Sequence, residues 1–90
     1  MLNTQYKGSF PKNPFVDYLN NEGIRPGDFS IMARVDQACV YDVIAGYRAK
    51  LPKSFVLTIE ERSGKGAGIA TAEAYRGYLE NRRHELMAKK

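Results

Sequence analysis

The chain has 90 residues, which is enough for one domain and too few for two. Hydrophobic residues make up 43 % of the chain and aromatic residues 11 %, which argues for a folded protein and against a disordered one. The net charge of +4 suits an acidic partner such as nucleic acid or an anionic membrane surface, while the lone Cys39 excludes an internal disulfide. No apolar run approaches the roughly 20 residues that span a bilayer, and no signal peptide is recognisable. We therefore expect a cytoplasmic protein without a membrane partner.

The first predicted helix follows an N-terminal arm. Residues 1–12 mix Asn, Gly, Pro and Lys without an amphipathic period, and we expect them to form an arm outside the domain. Asn13 is a suitable N-cap, and Pro14 a suitable first residue, because the N–H that proline lacks would have no partner there. An apolar stripe follows, and Gly23 is placed to end the helix. The stripe consists of Phe15, Tyr18 and Leu19.

Two more short helices are predicted in the next stretch. The second begins at Pro26, and its apolar face consists of Phe29, Met32 and Ala33. The third has Asp36 as N-cap, runs from Gln37 to Ala45 and is closed by Gly46. Its inward stripe consists of Val40, Val43 and Ile44.

The segment 55–62 is ambiguous between a strand and a helix. Its Phe, Val, Thr and Ile residues favour a strand by propensity, while the apolar run followed by Glu-Glu-Arg favours a short buried helix. We predict the helix, which completes a domain over residues 13–63. Residues 64–70 form a Gly-rich connector, and Thr71 caps a last helix over residues 71–90. The chain is thus predicted to be all-α, a compact bundle of five helices.

A positional pattern of glycine, aliphatic and polar residues covers the span from Gly23 to Pro52. Its places are held by Gly23, Ile24, Arg25, Phe29, Ala33, Val35, Asp36, Val40, Val43, Gly46, Arg48 and Pro52. In this pattern the chain resembles the phage repressor and Cro-like, or lambda-repressor-like, helix-turn-helix family. The resemblance implies a transcriptional regulator that binds a double-stranded DNA operator without a cofactor. It also places Arg34 where the family often has glycine, in a left-handed backbone position.

The third helix has the properties of a helix that reads DNA. A helix fits the major groove, and the polar side of this one presents Gln37, Ala38, Tyr41 and Asp42 to base edges. Between Asp42 and Glu60 the chain carries no acidic residue, and its cations can bind phosphates there. The predicted phosphate-binding residues are Arg48, Lys50 and Lys53, together with Arg34 before the helix. The arm, with Lys7 and Lys12, either lies along DNA or makes no contact.

Two other interpretations of this surface remain open. The outward side of the third helix is an ordinary solvated face in the simplest alternative, with Asp36 only capping. The carboxylate of Asp42 is repelled by phosphates unless it finds a donor. A helical module that binds protein is therefore the rival function, for example an antitoxin or a phage factor that sequesters a regulatory protein.

The last helix has two candidate roles, packing on the other helices or forming a homodimer interface. The candidate dimerisation residues are Tyr75, Tyr78, Leu79 and Leu86. The glycine-rich connector lacks the Ser or Thr and the βα context of a phosphate-binding loop, so we interpret it as a hinge.

No catalytic or metal site is predicted. His84 and Glu80 have metal-ligand spacing, but without a second histidine we interpret them as a surface pair. Cys39 is either a redox switch or a buried inert thiol. One histidine and one cysteine leave little from which to build a hydrolytic triad, so we expect the protein not to be an enzyme.

Overall fold

The computed structural model describes residues 12–88, and nearly all of the predicted arm lies outside the described residues. Five helices follow one another: α1 (Pro14–Glu22), α2 (Pro26–Ala33), α3 (Gln37–Ala45), α4 (Lys53–Ser63) and α5 (Ala67–Ala88). Residues 12–88 contain no β-strand, and the prediction of an all-α bundle of five helices is confirmed. None of the helices in this part of the chain is long and apolar enough to cross a membrane.

The start of α1 and the C-terminal ends of α1 and α3 follow local rules that the sequence displays. The Asn13 side chain accepts a hydrogen bond from the Phe15 N–H at 2.9 Å, as an N-cap should. Gly23 and Gly46 end α1 and α3 with φ of 69° and 81°, a left-handed conformation that costs glycine nothing. Asp36 has the extended backbone of an N-cap, but its side chain makes no capping hydrogen bond.

The ambiguous segment is helical, with Phe55, Thr58 and Ile59 on its buried face and Leu57 exposed. Phe55 and Ile59 of α4 are completely buried, and Thr58 lies beside them with its hydroxyl donating to the Ser54 carbonyl at 2.8 Å. The ring centroids of Phe15, Phe29 and Phe55 lie 5.1–5.2 Å apart, so three helices meet in one aromatic cluster. Burial against α1 and α2 outweighs the strand propensity of the isolated segment.

The core extends from this cluster to α3 and α5. Its members are hydrophobic residues with little or no exposed surface: Phe15, Leu19, Phe29, Ala33, Val40, Val43, Leu51, Phe55, Ile59 and Tyr75. Met32 was predicted to lie on the inward face of α2, but it is 38 % exposed. Ser30 is buried in its place, and its hydroxyl donates to the Gly27 carbonyl at 2.6 Å, which satisfies the polar group.

The last helix begins at Ala67, within the predicted connector, so the prediction that residues 64–70 connect and Thr71 caps is wrong. Thr71 lies one turn inside α5, where its hydroxyl donates to the Ala67 carbonyl at 2.9 Å. Gly68 is buried, and a Cβ there would collide with the Val56 carbonyl oxygen of α4. Glycine at this position therefore serves a close helix crossing.

Candidate nucleic-acid interface

The two sides of α3 differ sharply in burial. Val40 and Val43 on the inner side have no exposed surface. On the outer side Gln37 and Ala38 are exposed, Tyr41 is 51 % exposed, and Asp42 is half-buried. The four residues predicted to read bases therefore share one accessible side of the helix, at relative positions i, i+1, i+4 and i+5.

The C-terminal end of α3 is fastened to the rest of the fold by two side chains. The amide of Asn13 donates to the carbonyl oxygens of Val43 and Ile44 at 2.9 and 3.0 Å. The Arg82 guanidinium donates to the Ala45 carbonyl oxygen at 2.8 Å. The last carbonyls of a helix lack partners within it, so these donors stabilise α3 and fix its position relative to α1 and α5.

Sequence reasoning missed these positioning roles of Asn13 and Arg82. The cap role of Asn13 is local and visible in the sequence, but the second partner of its amide lies 30 residues away. For Arg82 a signal was present, since it falls on the same side of the last helix as Tyr75 and Tyr78. A cation on an otherwise apolar packing face often marks a buried acceptor.

The turn before α3 has the conformation that the resemblance implies. Arg34 has φ 60° and ψ 47°, and within residues 12–88 it is the one non-glycine residue with positive φ. Its N–H donates to the Ile31 carbonyl, and the N–H of Val35 donates to the Ser30 carbonyl at 3.0 Å. This pair of bonds closes α2 and redirects the chain into α3, while the Arg34 side chain remains exposed.

Gln37 lies against the start of α2. A Cβ on Gly27 would lie 2.7 Å from the Gln37 side-chain nitrogen, so the amide occupies the space that glycine leaves. The glycine therefore lets the first residue of α3 approach α2 closely.

The cations that follow α3 are exposed. Arg48, Lys50 and Lys53 all have exposed side chains, and Lys53 is the first residue of α4. The Arg48 guanidinium lies 3.8 Å from the Asp42 carboxylate. Such a surface pair contributes little to stability, but it gives the Asp42 carboxylate a cationic neighbour.

The candidate dimerisation residues of α5 do not act as one surface. Tyr75 is completely buried and its hydroxyl donates to the Arg48 carbonyl at 2.9 Å, so its assignment to a dimer interface is wrong. Burial raises the pKa of Tyr75 above its ordinary value of 10.0, and the nearby Tyr78 adds to the shift. Tyr78 and Leu79 are partly buried against the core, whereas Leu86 is 54 % exposed.

The other chemistry-bearing residues gather no second site. In the described part of the chain no three His, Cys, Asp or Glu side chains lie together as metal ligands would, and His84 is exposed. Cys39 is half-buried beside the core. Comparison of the chain with protein-family models, curated proteins and solved structures finds no match in any of the three.

Proposed function

We propose that the protein is a helix-turn-helix regulator of transcription, of the phage repressor or Cro-like kind, and not an enzyme. In this proposal α3 enters the major groove of an operator and reads its sequence, while cations before and after the helix bind phosphates. A homodimer on a palindromic operator follows from the resemblance, because two half-sites multiply the specificity of one small domain.

One observation carries the proposal. The polar side of α3 is accessible, while Val40 and Val43 on the opposite side are completely buried and the C-terminal end is held by Asn13 and Arg82. A helix that reads bases must present its side chains in a fixed register, because each hydrogen bond to a base edge tolerates little displacement. The exposed cations that follow α3 supply the sequence-independent attraction that such a helix needs.

Each predicted contact has a chemical basis. Gln37 can form two hydrogen bonds with adenine, Ala38 can contact a thymine methyl, and Asp42 can accept from a cytosine amino group. Tyr41 adds a hydroxyl and an aromatic ring. Arg34, Arg48, Lys50 and Lys53 bind phosphates, which holds the helix in register and carries little sequence information itself.

Binding to mixed duplex DNA over a salt series tests the function. If four phosphates are neutralised, the logarithm of affinity falls with the logarithm of salt with a slope of about −3.6. Between 50 and 200 mM salt this is a loss of about 150-fold. Absence of DNA binding even at the lowest salt would reject the proposal.

Two variants separate base recognition from phosphate binding. Gln37→Ala should relax the base preference at one position of each half-site, with a loss of about 1–3 kcal/mol for the preferred base. Lys50→Ala should weaken all sequences alike and make the salt slope shallower by about 1. If both variants bind the operator as tightly and selectively as the parent, α3 is not the reading helix.

A protein-binding module is the second candidate, and one observation favours it. Ile31 on α2 is 75 % exposed, and an exposed apolar side chain suits a protein partner better than phosphates. In that case DNA binding is absent and Ile31→Lys abolishes capture of the partner, whereas a DNA-binding regulator tolerates the change.

A further inference from the structure

A groove of about 410 Å³ lies between the loop that follows α3 and the C-terminal half of α5. Three arginines line it: Arg48 from the loop, and Arg82 and Arg83 from α5. None of the residues that line the groove is acidic. Its apolar part includes Tyr47 and Leu86. The charge of the lining therefore selects an anionic occupant.

Hydrogen bonds hold the two walls of the groove in place. The Tyr75 hydroxyl donates to the carbonyl oxygen of Arg48, which fixes the loop on α5. Arg82 is half-buried, and its bond to the Ala45 carbonyl uses one of the five N–H donors of the guanidinium. Arg83 is exposed beside it. The groove thus presents guanidinium groups from two separate elements that are bonded to each other.

The groove is continuous with the outer side of α3. Gly46, which ends α3, lines the groove, and a Cβ at this glycine would collide with the Arg82 guanidinium. Arg48 belongs to both surfaces, because it lines the groove and pairs with Asp42 on α3. The outer side of α3 and the groove are therefore joined through Gly46 and Arg48.

We propose that this groove binds phosphates of the DNA backbone next to the site read by α3, with Arg82 and Arg83 of α5 as contacts additional to Arg48. The inference rests on the proposed DNA-binding function and adds α5 to the interface. Guanidinium groups suit this role because their planar donors pair with two phosphate oxygens at once. Tyr47, the exposed aromatic side chain of the groove, can contact the deoxyribose rings between successive phosphates.

The test compares salt slopes of three proteins on one mixed duplex: the parent, Arg83→Gln and Lys65→Gln. Lys65 is a matched control because it is an exposed cation that precedes the other end of α5, about 24 Å along the helix from Arg83. Arg83 is the chosen position because its side chain, unlike that of Arg82, is not bonded to α3. Arg83→Gln should make the slope shallower by about 1, so that affinity falls by about 3.5-fold less between 50 and 200 mM salt. Lys65→Gln should leave the slope unchanged.

The outcomes separate this inference from the proposed function. If the parent binds DNA and Arg83→Gln keeps its slope, α5 makes no phosphate contact and the inference is overturned while the proposed function stands. If Arg83→Gln and Lys65→Gln make the salt slope shallower by the same amount, the effect is one of net charge, and the inference is also overturned. A parent that does not bind DNA rejects both proposals, and an acidic protein partner would then be the occupant to seek.

Discussion

Arg34 occupies a backbone position that favours glycine, with φ 60° between α2 and α3. A left-handed conformation costs a residue with a Cβ about 1–2 kcal/mol, and the two bonds that close α2 hold the residue there. In the proposed function the exposed Arg34 guanidinium binds a phosphate, which glycine could not do. Stability and binding should therefore change in opposite directions at this residue.

Arg34→Gly should raise the free energy of unfolding by about 0.5–1 kcal/mol, because relief of the strain exceeds the entropy that glycine adds to the unfolded chain. The same variant should weaken DNA binding and make the salt slope shallower by about 1. Urea unfolding and the salt series measure the two effects. Arg34→Ala is the control, since it removes the charge and keeps the strain. A stability gain in the alanine variant equal to that in glycine would contradict the backbone explanation.

Tyr75 links the stability of the fold to alkaline pH. Burial raises the pKa of its phenol in the folded state above the ordinary value of 10.0, so the neutral form is favoured by folding. The stabilisation by this group is fully present below pH 10 and is lost as the pH rises through the folded-state pKa.

Tyr75→Phe should lower the free energy of unfolding by about 1 kcal/mol at pH 7, because the Arg48 carbonyl loses its donor. Above pH 10 the variant should lose stability less steeply than the parent, since phenylalanine has no proton to release. Urea unfolding at several pH values measures both effects. Tyr47→Phe is the control because Tyr47 is 78 % exposed, and it should match the parent at every pH. A parallel pH dependence of parent and Tyr75→Phe would refute the assignment.

Among the helices, the crossing of α4 and α5 depends on one glycine. A Cβ on Gly68 would collide with the Val56 carbonyl, and backbone cannot move aside as a flexible side chain can. Gly77 lies in the same helix with no atom within 4 Å of its Cβ position, and it is exposed. The two glycines therefore serve different purposes in one helix.

Gly68→Ala should lower the free energy of unfolding by about 2–3 kcal/mol through overpacking at the crossing. Gly77→Ala should raise it by about 0.5–1 kcal/mol, because alanine is the better helix former at an open position. Thermal or urea unfolding measures the free energy of unfolding of both variants, which carry the same glycine-to-alanine change in the same helix. A gain in stability for both variants would show that α4 and α5 separate without cost.

The helix bounds show how much of the fold can be predicted from the sequence. The bounds of α1 and α3 and the start of α2 were predicted correctly, because residues such as Pro14, Pro26 and Gly46 mark helix ends by local chemistry. The start of α5 was missed because Gly68 was interpreted as a loop residue, and only the approach of Val56 explains its place inside a helix. Asn13 and Arg82 were missed as anchors of α3 for the same reason, since their partners are distant in sequence.

For the whole molecule, the proposed regulator is expected to bind as two copies. Of the dimerisation candidates, Leu86 retains the largest exposed apolar surface, and Tyr75 is excluded by its burial. A single domain of this size reads only a few base pairs, which is too little for a unique operator.

Selection of bound sequences from a random duplex pool should therefore enrich an inverted repeat, with half-site centres about 10 base pairs apart. Leu86→Lys should abolish dimers in sedimentation, so that a single half-site and the full repeat are bound with similar affinity. Leu57→Lys on α4 is the control, because Leu57 is similarly exposed at 52 %. An enriched sequence without symmetry would contradict the dimer and leave DNA binding intact.

The double role of Asn13 has a practical consequence for engineering. The residue that caps α1 also holds the last turn of α3 through its side-chain amide, so a change at this one position loosens two helices at once. A label attached at Asn13 would therefore disturb the position of α3. For binding assays the label belongs elsewhere, for example at the connector between α4 and α5.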